Sequence, residues 1–240
     1  MPRRRPQGRR KAPSFVNAAV SLYLHYFWDG RAESLEAQAL GPVENPIEMG
    51  NTQVKMIETL AGIAGYQPYF AEAFGSPDIT KERVAKAIAD YERTRMSGNS
   101  AYDRWRRLRD AGAVSDAVKQ GHDLFFGKGA CHQCHVGSRF TDNTFHNIGI
   151  GWNAATRTFA DDGRFEVTKL DADRGAFKTP TLRGVVEYYN RGGNANPYMD
   201  LKMPRAPLGL SESEIDALVA MLESLTGEGY ADTAPTSFPQ

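Results

Sequence analysis

The sequence predicts an all-α chain of two helical units, the second organised around one short cysteine–histidine motif. Three observations predict it. Apolar residues recur at helical spacing along the 240 residues, with no sustained strand-like alternation. Ser or Thr stands just before several of these runs, where its side-chain oxygen can cap a helix. Residues 136 to 191 are rich in Gly, Asn and Asp and read as long loops, which a packed domain tolerates when the loops wrap something.

The elements follow in chain order. Arg3, Arg4, Arg5, Arg9, Arg10 and Lys11 precede an apolar stretch from Phe15 to Trp28. It superficially resembles an export leader, but Asn17 and His25 interrupt it and Asp29-Gly30-Arg31 ends it without a small-x-small cleavage site. The stretch therefore reads as folded protein and the basic run as a solvated surface segment, a nucleic-acid arm being the outside alternative. Ser34 to Leu40 is a short helix that Gly41-Pro42 stops. Gln53 to Gly62 and Tyr66 to Phe74 are two more. Thr80 caps a helix with Val84, Ala87, Ile88 and Tyr91 on one face, and Ser100 starts another running to Gly112. Ser115 caps the helix ending at Gly127. In the last helix Ser211 and Glu214 form a capping box, and Ile215, Leu218, Val219, Leu222 and Leu225 make the apolar stripe. Gly227 ends it, and a loose tail follows. The expected units are residues 1–112 and 113–230, with 231–240 as tail.

Composition narrows the function. Hydrophobic content of 41% and charged content of 24% are ordinary for a soluble globular protein. Lys and Arg number 29 against 29 Asp and Glu, so no global field favours nucleic acid or a membrane surface. No apolar run reaches the roughly 18 residues of a transmembrane helix.

The chemistry lies in Cys131-His132-Gln133-Cys134-His135, which has the C-x-x-C-H spacing that attaches a c-type haem. Two thiols three residues apart on a tight turn can bond the two vinyl groups of a porphyrin, and His135 can then ligate the iron. Other readings compete. A thioredoxin-type dithiol would follow a strand, and Gly127-Lys128-Gly129-Ala130 shows none. Structural zinc needs four ligands, so with only 2 cysteines histidines would have to complete it. A simple disulfide or a chance match is the third. His146, in a Gly/Asn-rich loop, reads more as a partner of a backbone carbonyl or a propionate than as an iron ligand. His25 and His122 read as helix residues in packing or surface roles. Arg174 and Arg183 are candidate propionate partners, since guanidinium suits carboxylates.

Several stretches together resemble the bacterial di-haem cytochrome c peroxidase and MauG family. Phe27-Trp28-Asp29-Gly30-Arg31-Ala32, Ser34-Leu35-Glu36-Ala37-Gln38-Ala39, Asn45-Pro46-Ile47-Glu48-Met49 and Ala87-Ile88-Ala89-Asp90-Tyr91-Glu92-Arg93-Thr94 are similar to its first domain. Gly121 to His135, Phe140-Thr141-Asp142-Asn143-Thr144-Phe145-His146-Asn147-Ile148-Gly149 and Phe177-Lys178-Thr179-Pro180-Thr181-Leu182-Arg183 resemble its second, electron-transferring domain. The resemblance implies a cytochrome c-like haem domain preceded by the helical remainder of a second cytochrome c-like domain. It places Gln38 and Glu48 in the distal pocket of the first-domain haem, with Glu48 relaying a proton as the peroxide O–O bond breaks. Trp28 would lie between the haems, and Cys131, Cys134 and His135 would hold the second haem. Tyr189 falls at that haem's distal position, where peroxidases have Met and MauG has Tyr; a hard phenolate donor favours ferric iron.

Two departures shape the expectation. Relatives carry a first C-x-x-C-H upstream of Phe27, whereas this chain begins after that point. Arg183 also runs directly into Gly184-Val185, where relatives insert a segment contributing to a calcium site between the haems, so part of that calcium site is missing. A truncated reading frame or a fragment fits both, and fits a family of exported proteins with no leader visible here. By the resemblance, the chain is a periplasmic haem oxidoreductase reducing hydrogen peroxide. Its electrons would come from a small donor such as cytochrome c or a cupredoxin, or from a protein substrate, and a homodimer is an allowed arrangement. The alternative is a non-enzymatic mono-haem electron carrier, which matches the single motif.

Overall fold

Hydroxyl caps begin the helices where the sequence places them. The computed structural model describes residues 8–20, 25–179, 185–204, 206–231, 235 and 237–240. Arg183 and four residues of the tail expected from the sequence lie outside them. Ser34 starts α1 (Leu35–Glu44), Thr52 starts α2 (Gln53–Ala61), and α3 (Tyr66–Phe74) follows Gly65. Thr80 caps α4 (Lys81–Thr94) and Ser100 caps α5 (Ala101–Arg107) with a capping box to Asp103. Ser115 caps α6 (Asp116–Phe126). Each hydroxyl accepts a backbone N–H from the first helical turn that has no partner within the helix.

Contacts group the chain into two units. The first comprises residues 1–27, 32–96 and 230–240. It holds α1 to α4 around Val43, Met56, Phe70 and Val84. Arg93 of α4 reaches Glu36 of α1 at 2.6 Å. Helix α1 does not stop at Gly41-Pro42 but runs on to Glu44. Pro42 cannot donate to the Gln38 carbonyl, yet its fixed φ is helical, and the added turn buries Val43 in the core. His25 lies in irregular chain rather than on a helix.

The second unit comprises residues 28–31 and 97–229. Helix α5 belongs here and ends at Arg107 rather than Gly112, because Arg109 turns left-handed (φ 58°). Between α6 and the last helix come β1 (Phe145–Asn147), β2 (Trp152–Asn153), β3 (Thr158–Phe159), α7 (Phe165–Thr168), β4 (Ala176–Lys178) and α8 (Val186–Asn190). β1 pairs antiparallel with β4, His146 opposite Phe177, and β2 with β3. These short ladders qualify the all-α expectation: the chain is helix-rich with a few small strands. Helix α9 (Glu212–Glu223) starts at the Ser211–Glu214 capping box.

The second core is the crossing of α6 and α9, with Phe125, Leu218 and Met221 fully buried. Gly121 makes the close approach possible, since a Cβ there would collide with the Ala217 carbonyl. The α9 stripe is rotated from the expected one. Ala217, Leu218 and Met221 are buried, while Val219 is 38% exposed. Among the described residues no helix is long and apolar enough to cross a membrane.

Candidate functional site

Helix α6 delivers the chain to the motif. The N–H of Gly127 closes the helix on the Asp123 carbonyl, and the N–H of Gly129 bonds the Leu124 carbonyl at 2.8 Å. Ala130 then adopts φ 51° and starts a 3-10 turn at Cys131–Gln133. The N–H groups of Cys134 and His135 both donate to the Cys131 carbonyl, at 3.3 and 3.0 Å. That turn puts the two half-buried thiols and the buried imidazole on one short arc. No disulfide joins the thiols. Gly129 is needed beside them, because a Cβ there would stand 3.2 Å from Cys131 Sγ. Burial pushes the Cys131 thiol up to about 11.

His135 is oriented for ligation. Its Nδ1 donates to the Phe140 carbonyl at 2.9 Å, which fixes the tautomer and leaves the Nε2 lone pair available. Burial also holds the imidazole below its ordinary pKa, in the neutral form a metal requires. Phe140 can accept this bond because it turns left-handed (φ 53°), and its ring packs edge-on against Phe125 and Tyr102. Donor type, spacing and tautomer therefore fit a haem attached through Cys131 and Cys134 with His135 as axial ligand.

Tyr189 lies on α8, close enough to the thiols of Cys134 and Cys131 that they, after burial itself, raise its phenol above the ordinary value. Tyr188 instead donates to the Ile148 carbonyl at 2.8 Å. The methyl groups of Met199 and Met203 converge on Gly193, 3.2 and 3.3 Å from where its Cβ would stand.

The remaining sequence candidates are distributed between the units. Trp28 is half-buried in the second unit, its carbonyl accepting from the Lys178 N–H at 2.9 Å. Arg164 fastens the same segment by donating to the carbonyls of Asp29 and Gly30, both at 2.9 Å, with its guanidinium 4.4 Å over the Phe145 ring. Gln38 and Glu48 belong to the first unit. Gln38 lies on α1 with its Oε1 buried and unbonded among the described residues. Glu48 is exposed on the turn after that helix. Arg174 is engaged by protein groups: it bonds Asp171 at 2.9 Å and stacks 3.6 Å over Phe165. His122 packs on α6 against Trp105 and Phe126.

His146 differs most from expectation. Instead of a backbone carbonyl, it bonds two protein carboxylates, Asp200 Oδ2 from Nδ1 at 2.6 Å and Asp142 Oδ2 from Nε2 at 2.8 Å. Burial opposes its charge, but bonds to Cys134, Asp200 and Asp142 push it up to about 9. Asp142 is held well below the usual carboxylate range; burial is outweighed by the Thr144 N–H, His146 and Thr179. Sequence reasoning missed this cluster, as it missed Gly121. The Phe140–Gly149 stretch carried the signal for both aspartate and histidine, but Asp200 lies far along the chain.

Comparison with known proteins places the chain in a family. The di-haem cytochrome c peroxidase family pattern matches residues 3–111. The chain is 38% identical to the methylamine utilization protein MauG of Methylorubrum extorquens, covering 94% of this chain and 67% of that one. It is 36% identical to the cytochrome c551 peroxidase of Nitrosomonas europaea, over 92% of this chain and 67% of that protein. The chain thus spans about two thirds of these relatives. A crystal structure of a MauG-like protein associated with microbial copper homeostasis superposes with a TM-score of 0.76 at 26% identity, over 91% of this chain and 76% of that one. On these grounds the chain belongs to the di-haem cytochrome c peroxidase and MauG family.

Proposed function

We propose that this chain is a c-type haem oxidoreductase that reduces hydrogen peroxide with electrons passed through a haem at Cys131, Cys134 and His135. The bond from His135 Nδ1 to Phe140 carries the reading, since it prepares Nε2 as a ligand directly after two unbridged thiols. When bound, the haem supplies one-electron transfer. The chain's own residues do the rest. Cys131 and Cys134 would hold the macrocycle, and His135 and Tyr189 would ligate its iron. In the first unit Gln38 and Glu48 handle peroxide. The exposed Glu48 carboxylate exchanges a proton with water and delivers it as the O–O bond breaks, while the buried Gln38 Oε1 offers an acceptor. Trp28 is the aromatic group along the electron path. The donor is a small redox protein or a protein substrate, and the compartment is periplasmic.

Oxidation of reduced cytochrome c by hydrogen peroxide, on protein matured in a haem-attaching periplasm, tests this. Turnover is the expected result. No turnover alongside a normal c-type spectrum would favour the mono-haem electron carrier, which the single C-x-x-C-H supports.

A further inference from the structure

Cys134, Asp142 and His146 are the group of metal-ligating side chains that converges among the described residues, their donor atoms all within 4.8 Å of one another. We propose that, before haem is attached, these three residues form a binding site for a thiophilic divalent cation such as Zn2+. This goes beyond the haem function: it concerns the same chain while Cys134 is still a thiol.

The donor set is the first argument. Thiolate, imidazole and carboxylate are the three ligand types zinc takes, with bonds of about 2.0–2.3 Å, which place ligand atoms about 3.5 Å apart in a tetrahedron. Closing from at most 4.8 Å requires shifts of under about 1 Å per side chain. Cys131 is not part of the group; its Sγ is directed to the Gly129 carbonyl.

The second argument is independent of the donors themselves. Both non-sulfur ligands are held from behind, as metal ligands are. His146 Nδ1 donates to Asp200 at 2.6 Å, which turns Nε2 inward. Asp142 Oδ1 accepts from the Thr144 N–H at 3.1 Å and the Thr179 hydroxyl at 2.9 Å, leaving Oδ2 to face His146 Nε2. A cation would replace the Nε2 proton and displace the Lys202 ammonium, which lies 3.1 Å from Asp142 Oδ2 on a side chain 43% exposed. Two carboxylates, Asp142 at the site and Asp200 behind the imidazole, favour a cation at that position.

The consequence is exclusive use of Cys134. Thioether formation adds its S–H across a vinyl C=C, sulfur to one carbon and hydrogen to the other, and a metal-bound thiolate is withheld from that addition. Metal and haem therefore compete for this sulfur.

The test uses the full chain made without haem attachment and titrated with Zn2+, or with Co2+ to read the thiolate-to-metal charge-transfer band. One metal per chain is expected, with the band present. Cys134→Ser and His146→Ala should each weaken binding more than tenfold, and Asp200→Asn about tenfold, whereas Cys131→Ser should change it less than threefold. Equal losses for both cysteine variants with none for His146→Ala would assign simple dithiol chelation and overturn the site. Misfolding of variants is avoided in a second measurement on the unsubstituted chain. Zn2+ should protect Cys134, and not Cys131, from alkylation mapped by mass spectrometry; equal protection or none overturns the proposal. Haem-loaded protein should not bind Zn2+ at this position, and stoichiometric binding there would also overturn it. Failure of these tests leaves covalent haem and peroxide turnover untouched.

Discussion

The imidazole of His135 and the carbonyl of Phe140 meet at 2.9 Å, and this contact decides which histidine nitrogen is offered to a metal. With Nδ1 committed as donor, Nε2 is the ligand. In the proposed reading the two thiols on the same turn fix the macrocycle. Cys131→Ala combined with Cys134→Ala should abolish covalent attachment, read as loss of haem staining on a denaturing gel. Staining that survives both substitutions would show that the haem is held elsewhere.

Gly121 is the steric key of the α6–α9 crossing. An added Cβ would meet the Ala217 carbonyl and Met221 Cβ, and backbone on the far side cannot rotate away as a side-chain tip can. Gly121→Leu should destabilise the protein by roughly 1–3 kcal/mol or more, measured as a lowered urea midpoint. Gly98→Ala is the control. A Cβ there meets nothing within 4 Å, and its effect should stay within about 0.5 kcal/mol.

Helix starts were legible in the sequence because each depends on one hydroxyl and the backbone beside it: Thr80, Ser115 and the Ser211–Glu214 box all act locally. Helix ends were less so. Pro42 reads as a stop, yet burial of Val43 carries α1 onward, a tertiary effect invisible to local pattern. The C-x-x-C-H turn is legible through spacing alone. The His146 cluster is not, because Asp142 is 4 residues from the ring in sequence but Asp200 is 54 residues away. Likewise, Gly121 inside an amphipathic helix looks like a mere lapse in propensity until the partner helix is seen.

The His146 cluster gives a pH dependence with a definite sign. Its folded pKa, about 9, lies above the value of about 6.5 for an unfolded histidine. The imidazolium bound between Asp142 and Asp200 therefore contributes its full stability below about pH 6.5, and that contribution is lost as pH rises through about 9. Thermal midpoints of protein in which Cys134 is still a thiol should fall across this window. Asp142 and Asp200, both held below the ordinary carboxylate value, work oppositely in acid: their contribution disappears as pH drops through their folded values. His146→Gln should flatten the alkaline fall; an unchanged slope would place its origin in another group.

Tyr189 offers the sharpest test of how the second unit treats its metal. Burial first, then the nearby thiols of Cys134 and Cys131, disfavours the phenolate, so without a metal the phenol keeps its proton. Ferric iron held by His135 would reverse that balance, because a cation beside the oxygen stabilises the charged form that burial opposes. If Tyr189 is the distal ligand, Tyr189→Phe should alter the ferric visible spectrum and raise the reduction potential, since a hard oxygen donor that favours the ferric state has been removed. An unchanged spectrum would assign the distal side to another group. Tyr188→Phe separates ligation from packing. Tyr188 donates to the Ile148 carbonyl, so its loss should cost about 1 kcal/mol of stability and leave the ferric spectrum as it was.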